Sequence, residues 1–169
     1  IGSCYVTNIQ TGDGVGKNTN TVFEKVMKAP RDTEPFLSVT QTFGLSWNTT
    51  PVSCPLSQTY STRRGYGGAM GPSQFIPSTW ELFIPRLRIA LGVSQPNPWD
   101  ARDAVMATAL YLSDLGAAGQ TYTSERNAAC KYYSGRACAS RSPANTPYGN
   151  SVIAKAKQFQ ENIDFLSNL

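Results

Sequence analysis

Apolar residues recur mostly at helical spacing along this chain, and no segment shows a convincing alternating strand pattern. The clearest stripe is Val152, Ala156, Phe159, Ile163 and Leu166, which predicts a long amphipathic helix. Upstream, Ser124 starts a helix that Gly135 ends. Asp100 caps another, with Ala104, Val105, Thr108, Leu112 and Leu115 on its inner face and Gly116 at its end. Ser78-Thr79-Trp80-Glu81 has the form of a capping box and predicts a helix running to Leu91, with a kink at Pro85. Asp32 caps an earlier helix with Pro35 in its first turn, Gly44 past its end, and Phe36, Leu37, Thr40 and Phe43 turned inward. Val22, Phe23, Val26 and Met27 predict one more short helix, stopped by Pro30. Residues 1–19 read as loop, with a small hairpin at Asp13-Gly14, and residues 45–72 read as irregular. The pattern predicts a mainly α domain with long loops and no internal repeat.

A length of 169 residues fits one domain, or one domain with a large insertion. Charged residues make up only 15%, against about 25% in an average soluble domain. The absence of histidine excludes Ser-His-Asp and Cys-His catalysis, His-ligated zinc and a histidine pH switch. A zinc site of cysteines alone is disfavoured because no CxxC pair exists, so no metal or cofactor is expected. The net charge of +4 comes from scattered basic residues such as Arg63-Arg64, Arg86, Arg88, Lys155 and Lys157. No dense basic stripe forms, so the charge argues for a mildly basic surface rather than nucleic-acid binding. Weak attraction to anionic polymers such as cell-wall glycans is compatible with it. Apolar runs are too short for a membrane span or a signal peptide. The start at Ile1 reads as an internal one. A monomer is expected.

Four cysteines allow three pairings. Cys130 and Cys138 lie eight positions apart around a short Tyr-Tyr-Ser-Gly turn, and Cys4 and Cys54 bracket a loop-rich arm. The expected pairs are Cys4–Cys54 and Cys130–Cys138, although four reduced thiols would fit a cytosolic core. An even cysteine count with low charge favours an oxidising, extracytoplasmic setting: periplasm, cell wall or secretion. Asn48-Thr49-Thr50 would accept an N-glycan only in a eukaryotic secretory pathway.

The densest chemical signal lies in residues 65–80, where a Gly-rich turn leads into a capped helix. Gly67, Gly68 and Gly71 permit close approach of a ligand or another backbone. Met70, Gln74 and Phe75 add a soft apolar contact, an amide and a flat ring, a set that suits a sugar with hydroxyl rims and CH faces. The chemistry alone fits a tight turn with core residues at least as well. The Gly12, Gly14 and Gly16 series lacks the spacing of a dinucleotide fingerprint.

The segment resembles the signature of the lytic murein transglycosylases, Gly-x-Met-Gly-x-x-Gln-Phe followed by a Pro-Ser-Thr-Trp turn, with the membrane-bound B-type branch most similar. Asn97-Pro98-Trp99-Asp100-Ala101-Arg102-Asp103-Ala104 resembles the opening of that family's next helix. Lys131-Tyr132-Tyr133-Ser134-Gly135 is similar to its Ala-Tyr-Asn-Ala-Gly motif, and Tyr148 leads into the final helix. The matches follow in order over roughly residues 65–166.

The resemblance implies a lysozyme-like fold of the goose-lysozyme and transglycosylase type, with a glycan cleft. It divides the chain into a loop-rich arm over 1–64, with two short helices, and a helical core over 65–169. It implies cleavage of the MurNAc–GlcNAc β-1,4 bond of peptidoglycan, with glycan strands as the partner. A single Glu protonates the leaving oxygen and then, as base, helps the MurNAc C6 hydroxyl attack C1, giving a 1,6-anhydro end. One carboxylate suffices because the substrate supplies the nucleophile, unlike the two-carboxylate glycosidases. Carried onto this chain, Gly68, Met70, Gly71, Gln74 and Tyr132 are the expected substrate-binding residues. Phe75 and Trp80 are expected in the core, and Asp100 and Asp103 at a helix cap. Tyr133 stands where the family has Asn.

The family's acid lies upstream of the Gly-rich motif in a Glu-Ser context. Only Glu24 and Glu34 lie upstream here, and neither is followed by Ser. Glu24 reads as a surface charge and a weak candidate; Glu34 complements a helix dipole. Glu81, Glu125 and Glu161 read as a capping-box member or helix surface. The expectation is therefore that the acid precedes Ile1 and that residues 5–60 form an insertion tied back by Cys4–Cys54. Such a chain would be inactive alone. Competing readings are a non-catalytic glycan-binding module, a goose-lysozyme-like hydrolase, and an extracellular interaction protein that kept only the fold.

Overall fold

The computed structural model describes residues 3–55, 65–138 and 145–168. Arg63-Arg64 and the opening Ile1-Gly2 lie outside the described residues. The chain forms two compact units, residues 1–107 and 108–169, and the division falls inside a helix.

In the first unit, β1 (Ser3–Asn8), β2 (Asp13–Gly16), β3 (Val22–Phe23) and β4 (Val52–Ser53) form an antiparallel sheet in the order β3-β2-β1-β4. The sequence pattern did not predict this sheet. Cys4 and Val6 point inward from β1 while Ser3 and Thr7 stay exposed, an alternation of only a few residues. Asp13 holds the following loop. Its carboxylate accepts from the Thr11 hydroxyl at 2.6 Å and from the Lys25 amide at 2.8 Å. These bonds, the Thr11 one foremost, keep its pKa below the ordinary carboxylate value.

The helix expected over 22–27 does not form. Val22 and Phe23 pair with β2, Lys25 takes a left-handed conformation, and the Met27 amide donates to Gly12. The segment's backbone bonds go to the sheet and its turn instead of to an i−4 carbonyl. Val26 and Met27 are buried all the same.

The next two helices are α1 (Thr33–Thr42) and α2 (Pro77–Leu91). Gly44 follows α1 as expected, but the Asp32 side chain makes no cap. It is buried, where it accepts from the Arg31 guanidinium and from the Ser78 hydroxyl. Ser78 is thereby diverted from capping: α2 starts after Ile76 with Pro77 in its first turn, and Glu81 is an exposed helix position. Phe75 packs edge-on against Trp80 and Phe83, and Trp80, Phe83, Leu87 and Leu91 form the inner face of α2.

Helix α3 (Ala101–Asp114) starts as expected, with Asp100 Oδ1 accepting from the Arg102 and Asp103 amides at 2.9 and 3.1 Å. Val105 is exposed, and Asp103, Ala104 and Ala107 take the inner positions. In the second unit a 3₁₀ turn leads to α4 (Tyr122–Ser134), capped by reciprocal bonds between Thr121 and Ser124 and ended by Gly135. Helix α5 (Asn145–Ser167) packs on α4 through its first turns. At Gly149 a β-carbon would lie 2.5 Å from Cys130 Sγ, so the approach requires glycine. Both expected disulfides, Cys4–Cys54 and Cys130–Cys138, are formed. Among the described residues no helix is long and apolar enough to cross a membrane.

Candidate functional site

Four of the expected substrate-binding residues lie on one short stretch of the first unit. The Ser53 backbone aligns that stretch. Its amide donates to the Ala69 carbonyl at 2.9 Å, its carbonyl accepts from the Gly68 amide at 2.8 Å, and its hydroxyl accepts from the Ala69 amide at 3.0 Å. The arm around β4 and the Gly-rich motif thus share one hydrogen-bonded frame. Met70 and Phe75 then close a tight loop, the Met70 amide donating to the Phe75 carbonyl at 2.9 Å.

That loop separates the expected residues into two groups. Gly68 is buried over the Met27 side chain, and Met70 is only 1% exposed. Both serve the interior of the sheet and helix layer. A thioether so enclosed offers no face to a ligand, so Met70 is a core residue and not part of a cleft wall. Gly71 and Gln74 are half-buried and line a surface groove of about 200 Å³. Gln74 has a φ of 56°, unusual for a residue with a side chain, and its Nε2 donates to the Gly71 carbonyl at 2.7 Å. This bond fixes the amide while leaving its oxygen as an acceptor.

The rest of the groove comes from Ser3, Pro51, Val52 and Ser53 of the arm, which the sequence did not single out, together with Ala69 and Trp99, which stand in the motif stretches with no binding role assigned. Trp99 is set by Asn97, whose Oδ1 accepts from the Trp99 amide at 2.9 Å. The Asn-Pro-Trp-Asp turn was the available signal for Trp99. For Ser53 it was the neighbouring Cys54. Among the described residues no acidic or basic side chain lines this groove. Such a site offers a neutral polyhydroxylated ligand an amide, hydroxyls and a half-buried indole, and among the described residues no carboxylic acid lines it.

Neither upstream glutamate reaches the groove lining. Glu24 is exposed in the turn after β3, and Glu34 is exposed in the first turn of α1. Glu81 borders a different cavity of about 230 Å³, between α1 and α2, with Phe43, Trp80 and Arg88. Among the described residues no cluster of three or more His, Cys, Asp or Glu side chains is placed to hold a metal ion.

Tyr132 belongs to the second unit. Its ring lies 5.4 Å from that of Tyr111, while Tyr133 stacks on Tyr148 at 4.7 Å. Burial pushes the Tyr132 phenol above its usual pKa of about 10, against a hydrogen bond to Thr108 that acts in the opposite direction. The native unit therefore retains this proton to higher pH than the unfolded chain does. The stabilisation is full below about pH 10 and is lost as pH rises through the raised value. Urea midpoints read on the helical signal should fall above about pH 10, and Tyr132→Phe should flatten that slope. An unchanged slope would remove Tyr132 as its source.

Comparison with protein-family models, with curated proteins and with solved structures gives no match to this chain.

Proposed function

We propose that this chain is the glycan-holding part of a peptidoglycan lytic transglycosylase of lysozyme-like fold, with its general acid supplied from outside these 169 residues. The observation that carries the reading is the uncharged groove in which Gly71 and Gln74 meet Trp99. Two of the five residues expected to touch sugar line it, and their chemistry matches a saccharide. The order of the motifs along residues 65–166 supports the same family. Two disulfides fit an extracytoplasmic location, where peptidoglycan lies.

In this reading the groove grips the glycan strand. The Gln74 amide oxygen accepts from a sugar hydroxyl or acetamido N–H, and the indole of Trp99 covers a CH face. A carboxylic acid, kept protonated by a partly apolar surround, protonates the glycosidic oxygen and then deprotonates the C6 hydroxyl as it attacks C1. The second reading, a non-catalytic peptidoglycan-binding module, is favoured by the same lack of a carboxylate in the groove.

Two measurements test this. Titration with peptidoglycan-derived glycan strands should show binding that Gln74→Ala weakens about tenfold, the loss expected for a hydrogen bond of roughly 1.4 kcal/mol. Absence of any glycan affinity would sink both readings. Mass spectrometry of peptidoglycan incubated with the chain should show no 1,6-anhydro ends. If such ends appear and Glu24→Gln abolishes them, Glu24 is the acid and the outside-acid proposal is wrong. Reducing ends would mark a hydrolase.

A further inference from the structure

The cavity of about 230 Å³ between α1 and α2 has an apolar floor and a charged rim. Val39, Pro77 and Trp80 are buried along its floor, and Ile84 is half-buried there. Glu81 and Arg88 are exposed at its rim. They stand seven positions apart on α2, so one helix face carries both, about 10 Å from each other along the axis.

Neither charge is neutralised within the unit. Ser78 bonds Asp32, so the Glu81 carboxylate is left out of the capping box it would have joined. Among the described residues it makes no ion pair and no hydrogen bond. Arg88 is held in place by neutral acceptors: its Nε donates to the Ser94 carbonyl at 2.8 Å and its Nη2 to Gln95 Oε1 at 3.4 Å. These bonds fix the guanidinium and leave most of its five N–H donors for a ligand. On the floor, the Trp80 indole N–H is buried with no acceptor among the described residues. An unmet buried donor is costly, so an acceptor that reaches it is favoured.

These features select the ligand. A neutral sugar uses neither charge, a polyanion is repelled by Glu81, and a polycation is repelled by Arg88. The rim instead matches a molecule with a cation at one end, an anion at the other, and a carbonyl and apolar surface between them. A short peptide with free ends has that layout. An extended chain advances about 3.3–3.6 Å per residue, so about three residues span the two charges.

We propose that the cavity between α1 and α2 binds a short peptide by its two free ends, the ammonium against Glu81 and the carboxylate against Arg88. A backbone carbonyl accepts from the Trp80 indole, and an apolar side chain covers Val39 and Ile84. The site is separate from the groove and does not rest on the glycan reading. Phe43 of the cavity packs edge-on against Trp99 of the groove at 6.3 Å, and the two hollows share no lining residue.

The test is a titration of the intact, ¹⁵N-labelled chain with trialanine, read on the assigned indole N–H signals of Trp47, Trp80 and Trp99. The Trp80 signal should move downfield with a dissociation constant on the order of 1 mM. N-acetylated trialanine and trialanine amide should each bind about two- to fivefold more weakly. Glu81→Gln should lose affinity for trialanine by the same factor and become indifferent to acetylation. Arg88→Gln should do so for amidation. Both positions are exposed, so an unchanged helical signal shows that the variants fold. A Trp80 signal that stays in place up to about 20 mM trialanine overturns the proposal. So do equal affinities for the free and blocked peptides, or binding that ignores both substitutions. Movement of the Trp80 signal by diacetylchitobiose and not by trialanine would give the cavity to a sugar instead. Glycan strands are expected to act on Trp99, so the groove and the cavity can each fail without the other.

Discussion

Replacing Cys4 and Cys54 together by alanine should destabilise the first unit by about 4 kcal/mol and, on the proposed glycan reading, abolish glycan affinity with it. The bond closes a loop across a sequence separation of 50 residues, and the loop entropy freed in the unfolded chain sets the magnitude. The native side gives a second reason. Strand β4 is two residues long and meets β1 only at Ser3↔Ser53 and Cys4↔Val52. Without the cross-link that short pairing has little to hold it, and Ser53 is the residue that aligns Gly68 and Ala69 beside the groove. Trp47, Trp80 and Trp99 all belong to the first unit, so their fluorescence reports its unfolding separately from the second. The urea midpoint of that signal should fall steeply. The same exchange at Cys130 and Cys138, separated by eight residues, should cost about 2.5 kcal/mol and leave the tryptophan transition in place. Equal effects of the two exchanges on tryptophan fluorescence would refute this assignment.

The other large effect is expected at Gly71. Its φ is 60°, a conformation that costs an L residue about 1–2 kcal/mol. A β-carbon there would also lie 1.9 Å from the Pro98 carbonyl oxygen. That atom is backbone and cannot swing aside, so the 97–99 turn must move and take Trp99 with it. Gly71→Ala should cost about 3 kcal/mol or more, strain and displacement together, and, on the proposed glycan reading, should lower glycan affinity through the shifted Trp99. Gly65→Ala is the matched control. Nothing lies within 4 Å of a β-carbon there, and its change should stay within about 0.5 kcal/mol. Similar midpoints for the two variants would show that the Gly71–Pro98 approach is not tight.

The helices were legible where the cap and the end signal were local. Asp100 caps α3, Gly135 ends α4, and the spacing of Val152 to Leu166 marks α5 without help from any other part of the chain. The disulfide pairing was legible too, because each pair brackets its own segment. The sheet was not. The inward positions of β2 are Gly14 and Gly16, which carry no side chain to display a period, and a β-carbon at Gly14 would meet the Tyr5 carbonyl oxygen at 2.0 Å. Ser78 misled because its hydroxyl found the distant Asp32 carboxylate, a contact that no local window contains. At the groove, Gly71 and Gln74 could be read from their motif. Ser53 and Trp99 could not. A disulfide brings the first from a part of the chain that no motif spans, and the second stands in the Asn97–Ala104 motif, which marks a helix opening and gives Trp99 no place at the groove.

The covalent tie between Cys4 and Cys54 also governs how damage to the arm would be seen. A protease that cuts once between these two cysteines leaves its products joined, so a non-reducing gel shows one band at the intact mass. Thiol releases the short amino-terminal peptide. Stored samples should therefore be judged after reduction, because a nicked molecule and a whole one migrate alike until the sulfur bridge is opened.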